Sequence, residues 1–140
     1  MEAKMQLLDY YITKYDFEVK RKIMPTEQLS MNGKLGYKVL NAQEENDKKI
    51  IGLEIQNEII LFNKNNEKEE LGKIVIRMDG VFSFDKSCTK KEIDQLLKVI
   101  GMAVLYGQLR SYITTNTALS GSVSNIILPL LNFVEKSQNS

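Results

Sequence analysis

A chain of 140 residues carries 19 basic and 18 acidic side chains, no histidine and a single cysteine. That length suits one domain with a core of its own, and one cysteine excludes both an internal disulfide and a thiolate zinc cluster. Balanced charge argues against a nucleic-acid binder, whose signature is a basic face, and the missing histidine leaves catalysis to carboxylates, lysines, tyrosines or Cys88.

Met1 to Gln6 lacks the basic region and apolar run of a signal peptide. No window reaches the roughly 18 apolar residues of a membrane span, and the most apolar stretch, Leu96 to Leu109, is interrupted by Lys98, Gly101, Gly107 and Gln108. A soluble, cytoplasmic protein without membrane insertion is expected. It should form one domain over residues 1–140, with ends frayed at about 1–6 and 137–140. Lys20-Arg21-Lys22 reads as a solvated strand end.

Tyr15, Phe17 and Val19 alternate with Asp16, Glu18 and Lys20, the period of a half-buried strand. Leu35, Tyr37 and Val39 repeat the pattern, and the shift to Leu40 and Ala42 predicts a bulge near Val39-Leu40. A third strand alternates through Ile51, Leu53 and Ile55 and runs on to Phe62. The fourth places Ile74, Ile76 and Met78 on one face and continues through Phe82 and Phe84. Asn46-Asp47-Lys48-Lys49 and the stretch from Asn63 to Glu70 suit hairpin turns, with Glu67 to Glu70 as a solvated tip. Short links favour antiparallel pairing, whereas the first connection, Met24 to Lys34, is longer. The first half therefore predicts a four-stranded antiparallel sheet.

The second half is helical. Thr89-Lys90-Lys91-Glu92 fits a capping box. Ile93, Leu96, Leu97, Ile100 and Val104 form an apolar face suited to the sheet. From Gly101 onward Met102, Leu105, Tyr106, Leu109, Tyr112 and Ile113 populate the opposite side, and a helix apolar nearly all round is buried on both sides. A second copy of the same helix is the economical cover, with Gly101 and Gly107 allowing close approach. Beyond Thr117 the chain turns irregular, and Pro129 suits the first position of a short closing helix. The fold class is α+β.

Specific residues then meet a known pattern. Gly80-Val81-Phe82-Ser83-Phe84 resembles the end of the fourth strand in SecB-type export chaperones. Arg110 with Ile113-Thr114 is similar to that family's long helix, and Gly121, Leu128 and Asn132-Phe133 fall at its spacing beyond. Thr13-Lys14 and Phe17-Glu18 resemble its first strand, one residue closer together. The resemblance spans about Tyr10 to Phe133. It implies a homotetramer, a dimer of dimers, whose exposed apolar grooves hold unfolded polypeptide clients without ATP or any cofactor. Some relatives serve export; others guard the antitoxin of a toxin–antitoxin pair.

The residue reading supplies candidates for such a groove: Leu119, Val123, Ile126, Ile127, Leu130 and Leu131, beside Phe82 and Phe84 on the sheet. Gly101, Met102, Leu105, Tyr106, Leu109, Tyr112 and Ile113 are the candidate oligomer interface. In the family an acidic strand surface docks the motor SecA. Asp16 and Glu18 are the candidates here, but Lys73 and Val75 stand at the other docking positions, so weak or absent SecA binding is expected.

Two other classes compete. A small-ligand carrier or carboxylate enzyme would use a compact, dry pocket between sheet and helices; Asp79 and Asp85 could be called an acid–base pair but read as a strand-face residue and a strand-end turn residue. A purely structural protein would leave no groove open once assembled. Cys88 reads as an inert thiol near a helix start. No metal site, nucleic-acid partner or catalytic residue is expected.

Overall fold

The computed structural model describes residues 4–24 and 27–120. Four strands come first: β1 (Met5–Val19), β2 (Leu29–Glu45), β3 (Lys48–Asn63) and β4 (Asn66–Asp85). All neighbours pair antiparallel in the order β1-β4-β3-β2, which puts β4 and β3 in the centre and β1 and β2 at the edges. The sheet followed by one long helical rod is the α+β arrangement expected from the sequence. Met5 and Gln6 pair with Phe84 and Ser83, so β1 starts inside the segment expected to fray.

The alternation in the sequence becomes burial. Leu53, Ile55, Ile59 and Leu61 of β3 and Ile74, Ile76 and Met78 of β4 are essentially fully covered. Each contributes about 1.5–3 kcal/mol when buried. The bulge expected near Val39-Leu40 lies between Val39 and Ala42. Asn46 and Asp47 turn β2 into β3 with φ of 50° and 64°, a left-handed pair that these two residue types tolerate. The solvated tip expected at Glu67 to Glu70 is instead part of β4, where Glu70 pairs with Phe62.

β1 and β2 lie at opposite edges, so the chain between them must cross the end of the central hairpin. The crossing is pinned there. Lys20 N donates to Leu71 O at 2.8 Å, and Lys64 N donates to Gln28 O at 2.9 Å. Arg21 donates to both carboxylate oxygens of Glu27 at 2.8 and 2.7 Å and to Glu69 Oε1 at 2.6 Å. These hydrogen bonds hold the Glu27 carboxyl down to about 2 and Glu69 below its ordinary value. Ile23 of the same segment is buried.

The rod is α-helical in α1 (Lys90–Leu96), π-helical over Leu97–Gly101 and α-helical again in α2 (Met102–Ser120). It opens with the expected capping box: Glu92 N donates to Thr89 Oγ1 at 3.1 Å and Thr89 N donates to Glu92 Oε1 at 3.2 Å. The π turn decides which side meets the sheet. It accommodates one extra residue, which turns everything beyond it by about 100° relative to a continuous α-helix. Met102, Leu105, Tyr106, Leu109 and Ile113 therefore face the chain's own sheet and are buried in the single chain, as is Gly101. The interface assigned to these residues from the sequence is corrected: they are core. A Cβ on Gly101 would meet Leu53 and Met5 of the same chain at 3.2 and 3.3 Å, so this glycine serves internal packing. At Gly80 a Cβ would lie 2.6 Å from Leu105 Cδ2, and only glycine lets the rod sit that close to β4. Tyr112 is half-buried, its ring edge-on to Tyr15 at 5.1 Å.

Candidate functional site

The helix-side face of the sheet is wider than the rod that covers it. Toward β1 the cover is nearly complete: Leu7, Ile12, Tyr15, Phe17 and Val19 are half-buried against the core. Tyr10, opposite Gly80 on the same face, remains 42% exposed. Burial, then the neighbouring Tyr112, pushes the Tyr15 phenol up. Toward β2 the cover is partial: Leu29 and Leu35 are half-buried against the core, but their neighbours on that face are not. Met31, Tyr37 and Val39, opposite the buried Leu61, Ile55 and Leu53, are 40, 47 and 45% exposed. A groove of about 480 Å³ opens between this shelf and the start of the rod, floored by Val39, Leu40, Ala42, Ile51 and Ile93, with Glu44, Lys49, Lys90 and Asp94 at its rim. An apolar floor with a charged rim suits an extended chain that buries every second side chain.

Phe82 and Phe84 do not contribute to this surface. They are 1 and 0% exposed on a central strand, flanked by Leu7 and Ile51 and by Met5 and Lys49. The client-contact role expected of them is corrected: both are core. Val123, Ile126, Ile127, Leu130 and Leu131 lie outside the described residues, as does the side chain of Leu119. Met31, Tyr37, Val39 and Tyr10 were missed as surface residues. Alternation showed which face each occupies, but no pattern in the sequence says which strand ends up beyond the edge of the helix.

Asp16 and Glu18 stand exposed on the opposite face of β1, across from Val75 and Lys73. Lys14 lies 3.6 Å from Asp16, and the two acids, two lysines, Val75 and Phe17 line one depression of about 370 Å³. Lys14 thus offsets Asp16, while Lys73, opposite Glu18, is paired with Glu58 at 3.1 Å. The remainder of this face is mixed: Tyr11, 50% exposed, lies across from Asp79, and half-buried Ile50, Ile60 and Val81 stand among charged residues. Glu54 lies 3.7 Å from Arg77, and burial with the charge of Glu54 raises the Asp79 carboxyl. Asp85 is held below its ordinary value by hydrogen bonds from Ser87. Five residues of extended strand separate Asp79 from Asp85, about 20 Å, so the two do not form an acid–base pair. Cys88 is buried, its thiol toward Lys4 O. Among the described residues no three potential ligands converge on a metal position, and no helix is long and apolar enough to cross a membrane.

No protein-family model matches the chain, and no curated protein matches it. Solved structures do. Rv1957 of Mycobacterium tuberculosis, a SecB-like chaperone in complex with a ChAD peptide from the Rv1956 HigA1 antitoxin, superposes with a TM-score of 0.71 at 14% identity, over 92% of this chain and 91% of that one. The chain has the SecB-like fold. A protein of unknown function from Streptococcus agalactiae is similar over 91% of this chain and 99% of its own, with a TM-score of 0.51 and 12% identity. At such identity the SecB-like likeness resides in the sheet and rod rather than in shared side chains.

Proposed function

We propose that this protein binds unfolded or extended polypeptide without nucleotide, in the manner of a holding chaperone. The observation that carries the reading is the uncovered apolar shelf of Met31, Tyr37 and Val39 beside the groove at Ile93. Its support is the SecB-like neighbour, whose structure holds an antitoxin peptide. The client is an aggregation-prone segment, either of an exported protein or of a dedicated partner such as an antitoxin. Leu119, Val123, Ile126, Ile127, Leu130 and Leu131 remain further client-contact candidates that the sequence alone supplies. The lysines beside Asp16 and Glu18 argue against docking to SecA.

The protein works as a homo-oligomer in this proposal, a dimer or a dimer of dimers in the cytoplasm. The contact moves to the outward side of the rod, where Ile100, Ala103, Val104, Gly107 and Ser111 are exposed or half-exposed. Nothing lies within 4 Å of a Cβ built on Gly107, which leaves room for a second helix.

The test is aggregation of reduced, chemically unfolded lysozyme on dilution, with sedimentation of the same preparation. Wild type should suppress light scattering at near-stoichiometric ratio without ATP and sediment above monomer. Tyr37→Ser with Val39→Asp should keep the circular dichroism spectrum and lose most of the protection. Ile127→Asp with Leu131→Asp tests the sequence-derived candidates in the same way. Wild type that leaves scattering unchanged overturns the binding reading, and a monomer at micromolar concentration overturns the assembly.

A further inference from the structure

The two edges of the sheet differ in how they could meet another strand. β1 is broken by register shifts between Leu7 and Asp9 and between Ile12 and Lys14, so its longest regular run is Lys14 to Val19. β2 pairs with β3 in unbroken register from Leu29 to Val39 and contains no proline. Among the described residues nothing pairs with its other side. A regular edge of that length is a row of free amides and carbonyls ready to receive a strand, and bulges or prolines are the usual guards against this.

Side chains on the two faces of this edge specify what it would receive. On the helix side stand Met31, Tyr37 and Val39. On the other side stand Lys34, Gly36 and Lys38, all exposed. The cross-strand neighbours of the lysines, Glu58 and Glu54, are engaged elsewhere, with Lys73 at 3.1 Å and Arg77 at 3.7 Å. Among the described residues neither Lys34 nor Lys38 has an ion-pair partner within 4 Å, since every such pair involves other cations. A Cβ on Gly36 would meet nothing, and a depression of about 460 Å³ opens there, lined in part by Lys34, Gln56 and Glu58.

A second copy of β2 fits poorly. From Leu29 to Gln43 the strand contains no acid, so antiparallel self-pairing would set lysines beside lysines with nothing to offset them. We infer that the free edge of β2 accepts an extended strand from another protein, in which apolar residues facing the helix alternate with acidic residues facing Lys34 and Lys38. Two acids four residues apart would match lysines separated by about 13 Å along the strand. Main-chain pairing would supply affinity, and the alternating faces would supply selectivity. This inference rests on the polypeptide-binding reading and names the mode and chemistry of its client.

The probes are fluorescein-labelled nine-residue peptides of alternating valine and threonine, with two threonines four residues apart replaced by glutamate or by lysine. Anisotropy at low salt should show the glutamate peptide binding about ten-fold tighter than the lysine peptide, as two favourable cross-strand charge pairs imply. Lys34→Glu with Lys38→Glu should invert the order. Two N-methylated versions of the glutamate peptide, one for each edge of the strand, separate pairing from simple apolar contact: one should lose binding and the other keep it. Equal binding of both methylated peptides, or a charge preference unchanged in the double variant, overturns the inference. So does a change in sedimentation of the double variant, because the edge would then be a contact between copies. If no peptide binds while lysozyme aggregation is still suppressed, this inference fails and the broader reading survives; if neither occurs, both fail.

Discussion

β1 and β2 are the two edges of one sheet and have the same period-two pattern, yet the fold treats them differently. Apart from Tyr10, the core-facing side chains of β1 pack against the core, with Met5 against the Gly101 position and Tyr15 against Tyr112. Of those of β2 only Leu29 and Leu35 pack against the core, while Met31, Tyr37 and Val39 keep 40% or more of their surface exposed. A single helix cannot roof four strands, because its width of about 10–12 Å spans little more than two strand spacings of 4.7–4.9 Å. Where the rod leans, alternation produces core; where it does not, the same alternation produces an apolar surface. An identical sequence signal therefore has opposite consequences for stability and binding.

The comparison breaks most sharply at the contact between rod and sheet. Leu105→Ala should lower the unfolding free energy by about 2–5 kcal/mol, the range for a buried leucine, whereas Val39→Ala should change it by less than about 0.5 kcal/mol, as exposed positions do. Urea denaturation measures both, and comparable losses would mean that the β2 shelf is covered after all. Leu105→Asp should prevent folding rather than release a folded monomer, since its charge would be buried within the single chain.

A smaller difference should separate the aromatic residues of the two edges. Tyr15→Leu removes an edge-on ring contact and should cost about 0.5–1.5 kcal/mol. Tyr37→Leu should leave the thermal midpoint within error and change only client binding. A loss of stability at Tyr37 equal to that at Tyr15 would erase the asymmetry.

The smallest effect concerns the segment that joins the edges. Glu27 is depressed to about 2 from an unfolded value near 4.5, chiefly by the hydrogen bonds from Arg21. The folded state thus binds fewer protons than the unfolded state in that window. The contribution is complete above pH 4.5 and is lost as pH falls through 2. Arg21→Gln should flatten the acid limb of the stability profile between those values, so that the two proteins differ by a constant amount above pH 4.5 and that difference shrinks as pH falls through 2. Parallel acid limbs in the two proteins would show that the crossing segment is not held by this pair.

The strands, the bulge after Val39, the Asn46-Asp47 turn and the capping box at Thr89 were all legible in the sequence, because each rests on interactions among residues near in the chain or on a two-residue period. The long helix was legible for the same reason, but its orientation was not. Ile93 and Leu97 meet the sheet as their spacing predicts, whereas a regular α-helix through Gly101 would turn the face from Met102 to Ile113 outward. The π turn that rotates it is chosen by packing on the sheet, with Gly80 admitting Leu105. Likewise Phe82 and Phe84 are core because β4 is central, a fact of strand order rather than of local pattern. Local chemistry determined the elements and their faces; only the tertiary structure decided which faces meet, because that depends on the rod's phase, the strand order and the finite width of one helix.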